Sequence, residues 1–314
     1  MVTKIHQDAL LSEIATVRKL VERSGKRDLL GKISLQERLR YLEEELNTRK
    51  AGPRDLATVA LVFDGGPVRG SSAIDAEFAA QALTYYQELL SKQVASTEGG
   101  RLAQRGPLPT EQHRMARMNI TGLVHGSFGF ILEEDSDGQA TFFESHMRKA
   151  VEEISDLFIN LVGDSPTSFN ENLQDIDPRV FNTLKGFVKT LHRAKSTLRI
   201  SEESRDLKLD LAKIALANDR VSHSDVAEID EEVAGTLLGI VPIQRRFDFR
   251  RSDNGEIIGG KVAENLSADY LKRIEREGLV GGHNWVATVR TKSIQRVGLA
   301  PSKVVTLVDL VEIG

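Results

Sequence analysis

The run Arg245-Arg246-Phe247-Asp248-Phe249-Arg250-Arg251-Ser252-Asp253-Asn254-Gly255, followed by Glu256-Ile257-Ile258-Gly259-Gly260-Lys261-Val262, decides how this chain is read. Side chains alternate between the two faces of a strand, so Phe247 and Phe249 point one way and Arg246, Asp248 and Arg250 the other. Ser252 to Gly255 form a tight turn, and residues 257–262 return as the next strand. Upstream, Val233 to Val241 is a further strand, with Gly235 and Gly239 where a barrel strand must bend sharply. Downstream, Ser267 caps a helix that runs to Glu277 and breaks at Gly278. Asn284 to Arg290 and Val304 to Ile313 are the last two strands, joined by a connecting segment, 291–302. Five strands with one helix between the third and fourth are the layout of a small Greek-key barrel of the OB type, a recurrent binding platform.

The candidate nucleic-acid-binding residues are Arg246, Arg250, Arg290, Lys292 and Arg296, set against phosphates with an aromatic for base stacking. The plainer alternative is a structural barrel in which Phe247, Phe249 and Trp285 are core and the arginines are solvated or paired with Asp248 and Glu256. Single-strand binders interleave exposed aromatics with cations, whereas alternation here puts the two on opposite faces. That separation favours packing, because a fold does not by itself give a function.

Charge supports the same two readings. The chain of 314 residues carries a net charge of −4, but residues 241–310 hold 12 Lys/Arg against 8 Asp/Glu while residues 1–240 hold 30 against 37. A mildly basic tail on an acidic body suits a polyanion partner, although the excess is small. Hydrophobic residues at 40% and charged residues at 28% describe an ordinary globular protein. Zero cysteines exclude disulfides, thiolate metal sites and cysteine nucleophiles. No apolar run is long enough to span a bilayer, and residues 1–8 lack the apolar core of a signal peptide, so a cytoplasmic protein without membrane contact is expected.

Three regions are expected: a helical hairpin and oligomerisation arm at 1–50, a central α+β domain at 51–225 and the barrel at 226–314. In the arm, Leu10, Ile14, Val17 and Val21 share one helical face, and Leu35, Leu39, Leu42 and Leu46 share another. Ser34-Leu35-Gln36-Glu37 has the form of a capping box that would start the second helix. The stripes are too short for a long coiled coil, so the helices pack on each other or on a second subunit, and a homo-oligomer through 1–50 is expected. In the centre, Thr58 to Phe63 is a strand ending at Asp64-Gly65-Gly66-Pro67, and Asp75 caps a helix with Phe78, Ala82, Leu83, Tyr86 and Leu89 on its apolar face. Met115 to Val124 and Phe128 to Glu134 form a hairpin, helices follow over 141–162 and from Pro178, and Leu198-Arg199-Ile200 pairs with Leu207-Lys208-Leu209.

No catalytic constellation is visible. Asp64 to Ser72 lies where phosphate loops occur but has no Gly-Lys-Ser/Thr ending, and Pro67 removes a backbone donor; a turn is the better reading. Glu133 to Gly138 lacks the ligand spacing of a calcium loop. Asp206-Leu207-Lys208 faintly follows the carboxylate-x-lysine element of metal-dependent nucleases, with Glu202 or Glu203 as a second acid, a pattern expected by chance in a charged chain. The seven histidines show no HxH or HExxH pairing. No cofactor or metal ligand set is therefore expected.

The segments 61–68 (Leu-Val-Phe-Asp-Gly-Gly-Pro-Val), 126–130 (Gly-Ser-Phe-Gly-Phe) and 33–39 (Ile-Ser-Leu-Gln-Glu-Arg-Leu) resemble those of an uncharacterised family of bacterial cytoplasmic proteins. The resemblance implies a bacterial origin and no active site. The expected function is thus a non-enzymatic modular binding or assembly protein whose barrel takes single-stranded nucleic acid, or else a protein partner. The alternative is a metal-dependent nuclease or other hydrolase in the central domain, in bacterial stress or phage defence.

Overall fold

Leu10, Ile14 and Val17 on one helix meet Leu42 and Leu46 on the next, all below a tenth exposed, with Val21, Leu35 and Leu39 packed at the margin. The computed structural model describes residues 4–23, 29–51, 56–70, 72–98, 102, 106–108, 110–124, 128–135, 146–202, 205–241, 243–263, 266, 268, 272, 284–296 and 298–312. The two helices are α1 (Lys4–Arg23) and α2 (Leu29–Ala51). Their i, i+3/i+4 stripes bury against each other, as that spacing requires. One expectation fails: α2 begins at Leu29, so Ser34 lies inside the helix and exposed rather than at its cap. A capping box acts only where the preceding chain is not helical. Once a turn has nucleated upstream, each added residue gains a hydrogen bond and helix runs through the motif.

The protein is of mixed α+β type, and the chain divides into two compact units, Met1–Phe169 with Arg179–Val221, and Asn170–Pro178 with Ser222–Gly314. In the first unit, β1 (Thr58–Gly65) is the centre of a five-stranded sheet with β4 (Met118–Val124), β5 (Phe128–Glu134), β6 (Ser196–Ser201) and β7 (Asp206–Leu209), in the order β4-β5-β1-β6-β7. Every pairing in it is antiparallel. Val59, Ala60, Leu61 and Phe63 of β1 are fully buried, the pattern of a central strand covered on both faces. Beyond the turn at Gly66-Pro67 a minimal hairpin of β2 (Val68–Arg69) and β3 (Ala73–Ile74) follows.

Helix α3 (Ala76–Glu98) starts where Asp75 Oδ1 accepts the Phe78 N–H at 2.8 Å, the N-cap its sequence announces. A short α4 (Thr110–Met115) follows; α5 (His146–Val162) and α7 (Pro178–Arg193) bury regular apolar stripes, and α8 (Leu211–Ser222) closes the unit. Phe187 of α7 gathers Phe158 and Tyr86 edge-on at 5.8 and 6.4 Å between ring centres. Between α5 and α7 runs α6 (Pro166–Asp175), whose pattern is too short and polar to read from sequence. The expected start of the preceding helix at residues 141–145 lies outside the described residues.

In the second unit β8 (Asp225–Val241), β9 (Arg246–Arg251), β10 (Ile257–Val262), β11 (Asn284–Arg296) and β12 (Leu299–Glu312) close on themselves in the order β10-β12-β11-β8-β9. All neighbours are antiparallel except β10 and β12. The core is Val233, Leu237, Phe247, Phe249, Val262, Trp285, Ala287, Val289 and Leu307. Closure brings backbones together: a Cβ at Gly260 would lie 2.2 Å from Val305 O, and one at Gly235 2.1 Å from Arg250 O. Only glycine permits either approach. Two expected boundaries change. β8 starts at Asp225, and the expected connection 291–302 is mostly strand, with β11 and β12 paired as far as Arg296 and Leu299. The apolar alternation stops at the barrel wall, but the hydrogen-bonded ladder continues beyond it. The helix expected over 267–277 falls largely outside the described residues.

Candidate nucleic-acid interface

The pairing of β9 with β10 builds the first candidate surface. Phe247 and Phe249 face inward at 2% and 0% exposure, which sends Arg246, Asp248 and Arg250 outward, all exposed. Turn 252–255 fixes the register, so Arg246 stands opposite Lys261 and Arg250 opposite Ile257. Arg251 holds that turn to β8 through Asp253 at 2.9 Å and Glu231 at 2.8 Å, and these partners, Asp253 first, keep its guanidinium well above its ordinary range. Arg246, Arg250 and Lys261 have no ion-pair partner among the described residues. Like charges placed directly across a ladder repel, so Arg246 and Lys261 form a local excess of positive charge that an anion relieves. Sequence reasoning missed Lys261. Its signal was present: in a hairpin the paired numbers keep a constant sum, and that sum sets Lys261 beside Arg246.

The other three candidates sit on β11 and are engaged elsewhere. Arg290 donates to Asp230 Oδ1 at 2.6 Å and Oδ2 at 2.7 Å, with Glu228 at 3.9 Å. The hydrogen-bonded Asp230 carboxylate raises Arg290 further above its usual value, with desolvation opposing. Arg296 donates to Ser302 Oγ at 2.6 Å. Lys292, expected at the surface, is 1% exposed; its ammonium donates to the Gln174 and Ile176 carbonyls, each at 2.6 Å. Read from sequence as part of a connection, Lys292 instead continues β11, and the segment 170–178 packs over that part of the wall and buries it. The five residues do not form one patch. On β8, Arg250 is opposite Thr236 and Arg290 opposite Asp230, so six residues separate them, about 20 Å along the strand.

Among the described residues of this unit no aromatic side chain is exposed beside the cations: Phe247, Phe249 and Trp285 are all core. Apolar side chains near the face are aliphatic instead, with Val241 at 49%, Ile243 at 93% and Ile257 at 57% exposure.

In the first unit the nuclease-like tripeptide is tied up. Arg199 grips Asp206 with two bonds at 2.6 and 2.9 Å, and Lys208 lies 3.9 Å from the same carboxylate. Glu202 is 5% exposed and accepts a short hydrogen bond from Ser155 Oγ. Burial raises its carboxyl above the ordinary range, and the Ser155 bond and Arg205 oppose that rise. Among the described residues no group of three His, Asp or Glu is placed to hold a metal ion. The Asp64-Gly65-Gly66-Pro67 segment has a structural explanation: a Cβ on Gly66 would lie 2.3 Å from Ala194 O, and Gly66 N–H donates to Lys195 O at 3.0 Å. Among the described residues no helix is long and apolar enough to cross a membrane. No protein-family profile, no curated protein and no solved structure matches this chain.

Proposed function

We propose that this is a non-enzymatic, cytoplasmic binding or assembly protein whose C-terminal barrel is of the OB type and recognises polyanions, single-stranded nucleic acid first. The division of labour follows the three expected regions: 1–50 for self-association, 51–225 as scaffold, 226–314 for recognition. The strand order and the one parallel pair, β10 with β12, support the OB assignment. The observation that carries the ligand class is the exposed trio Arg246, Arg250 and Lys261 on the β9–β10 face, the strand 2–3 face through which such barrels bind oligonucleotides.

With Phe247, Phe249 and Trp285 in the core, the trio contacts phosphates rather than bases, so binding is sequence-tolerant and strongly salt-dependent. Three phosphate contacts give a slope of log K against log salt of about −2 for single strands. The test is fluorescence anisotropy of labelled oligo-dT across a salt series, with and without magnesium. Arg246→Ala/Arg250→Ala is expected to weaken binding about tenfold or more, and Asp248→Asn, which removes the one anion between the arginines, to strengthen it. Binding unchanged in the double variant sinks the interface, and magnesium-dependent cleavage overturns the non-enzymatic assignment.

A further inference from the structure

We propose that a groove between α3 and α7 in the first unit binds a small organic anion with a flat body, the chemistry of a nucleoside monophosphate. The groove has a volume of about 620 Å³, within the range of small-molecule sites. Both walls are built on the same helical spacing. Gln81, Thr84, Tyr85 and Glu88 of α3 lie at i, i+3, i+4 and i+7; Gly186, Lys189, Thr190 and Arg193 of α7 do the same. Two elements that bury their core stripes elsewhere thus turn a second, polar face toward each other.

Three features select the ligand. Lys189 and Arg193, one turn apart and both exposed, have no ion-pair partner among the described residues. The acid on the facing wall is already neutralised, since Glu88 Oε2 accepts from Lys92 Nζ at 2.7 Å. The groove is therefore net cationic and suits a phosphate or carboxylate. The aromatic wall is set by Gly186. A Cβ there would fall 2.6 Å from Tyr85 Cε1, so the Tyr85 ring lies directly on the α7 backbone. A glycine in mid-helix is destabilising relative to alanine, a local penalty that this ring placement accounts for. The Tyr85 ring, held by stacking on Phe187 at 6.5 Å, lines the groove as its flat apolar element, and Thr84 and Thr190 offer hydrogen bonds beside it, with Gln81 already donating to Glu77 Oε1 at 3.2 Å.

Calorimetric titration of the full chain with AMP, adenosine and inorganic phosphate tests this. AMP is expected to saturate, at least about tenfold tighter than either fragment alone, and Lys189→Gln/Arg193→Gln to weaken it about tenfold or more, as loss of charge-assisted bonds does. Both substituted side chains are exposed, so the fold survives. Tyr85→Leu is expected to bring AMP down to the affinity of phosphate. Arg246→Ala/Arg250→Ala should leave AMP binding intact, which separates this site from the barrel face. No saturation by about 10 mM AMP, equal affinity in the Lys189/Arg193 double variant, or phosphate binding as tightly as AMP overturns the proposal.

Discussion

Replacing Lys292 by methionine isolates the contact that removes this residue from the surface. The side chain keeps its length and loses its charge. In the native protein its ammonium reaches the Gln174 and Ile176 carbonyls, 2.6 Å each, at the C-terminal end of α6. Those carbonyls belong to the set that a helix terminus cannot satisfy internally, and a cation there also complements the helix dipole. Lys292→Met strands two buried acceptors at about 1–3 kcal/mol each, while relief of the buried charge returns part of that. The net loss is about 2–4 kcal/mol. Trp285 is the chain's single tryptophan and sits 2% exposed in the barrel core, so its fluorescence reports the unfolding of this unit. With a urea dependence of about 1–1.5 kcal/mol per M for a barrel of this size, the midpoint should fall by roughly 1.3–4 M. Lys261→Met, on the exposed face, should shift it by less than about 0.5 kcal/mol equivalent. If the two substitutions behave alike, the capping role of Lys292 is wrong.

Two further outcomes follow from the first unit. The Glu202 carboxyl is raised by burial, so the folded state holds its proton more tightly than the unfolded state; the associated stability is complete below the ordinary value of 4.5 and is lost as pH rises through the folded value. Glu202→Gln, which still accepts from Ser155, should remove that decline and leave the protein at least as stable at neutral pH by thermal denaturation; a large loss at pH 7 contradicts the assignment. The hairpin buries its two stripes internally but leaves Leu11, Leu20, Ile33 and Tyr41 between 45% and 56% exposed. If those residues carry self-association, Leu11→Glu/Leu20→Glu lowers the mass measured by light scattering while helicity is kept, and an unchanged mass refutes it.

Much of the fold was legible because its signals are local. The stripe Leu10, Ile14, Val17 against Leu42 and Leu46, the Asp75 cap and the alternation Arg246-Phe247-Asp248-Phe249-Arg250 each depend on a few neighbouring residues and a fixed period. Illegible elements had weak local signals. Helix α6 is short and polar, and the outer halves of β8 and β11 carry isolated buried apolar residues, Val226 opposite Ile294, rather than a sustained alternation. The capping box at Ser34 was legible and misleading, since its meaning depended on whether residues before it were already helical.

By itself, the sequence determined which face of each strand a side chain leaves from, because a pleat of period two admits no other choice. Only the tertiary structure decided what that face meets. Arg246 and Arg250 stay in solvent, Arg290 finds Asp230 sixty residues away, and Lys292 is roofed by residues more than a hundred positions upstream. Whether an outward cation is free for a ligand depends on what packs over it, and that is set by chain segments too distant for any local period to encode.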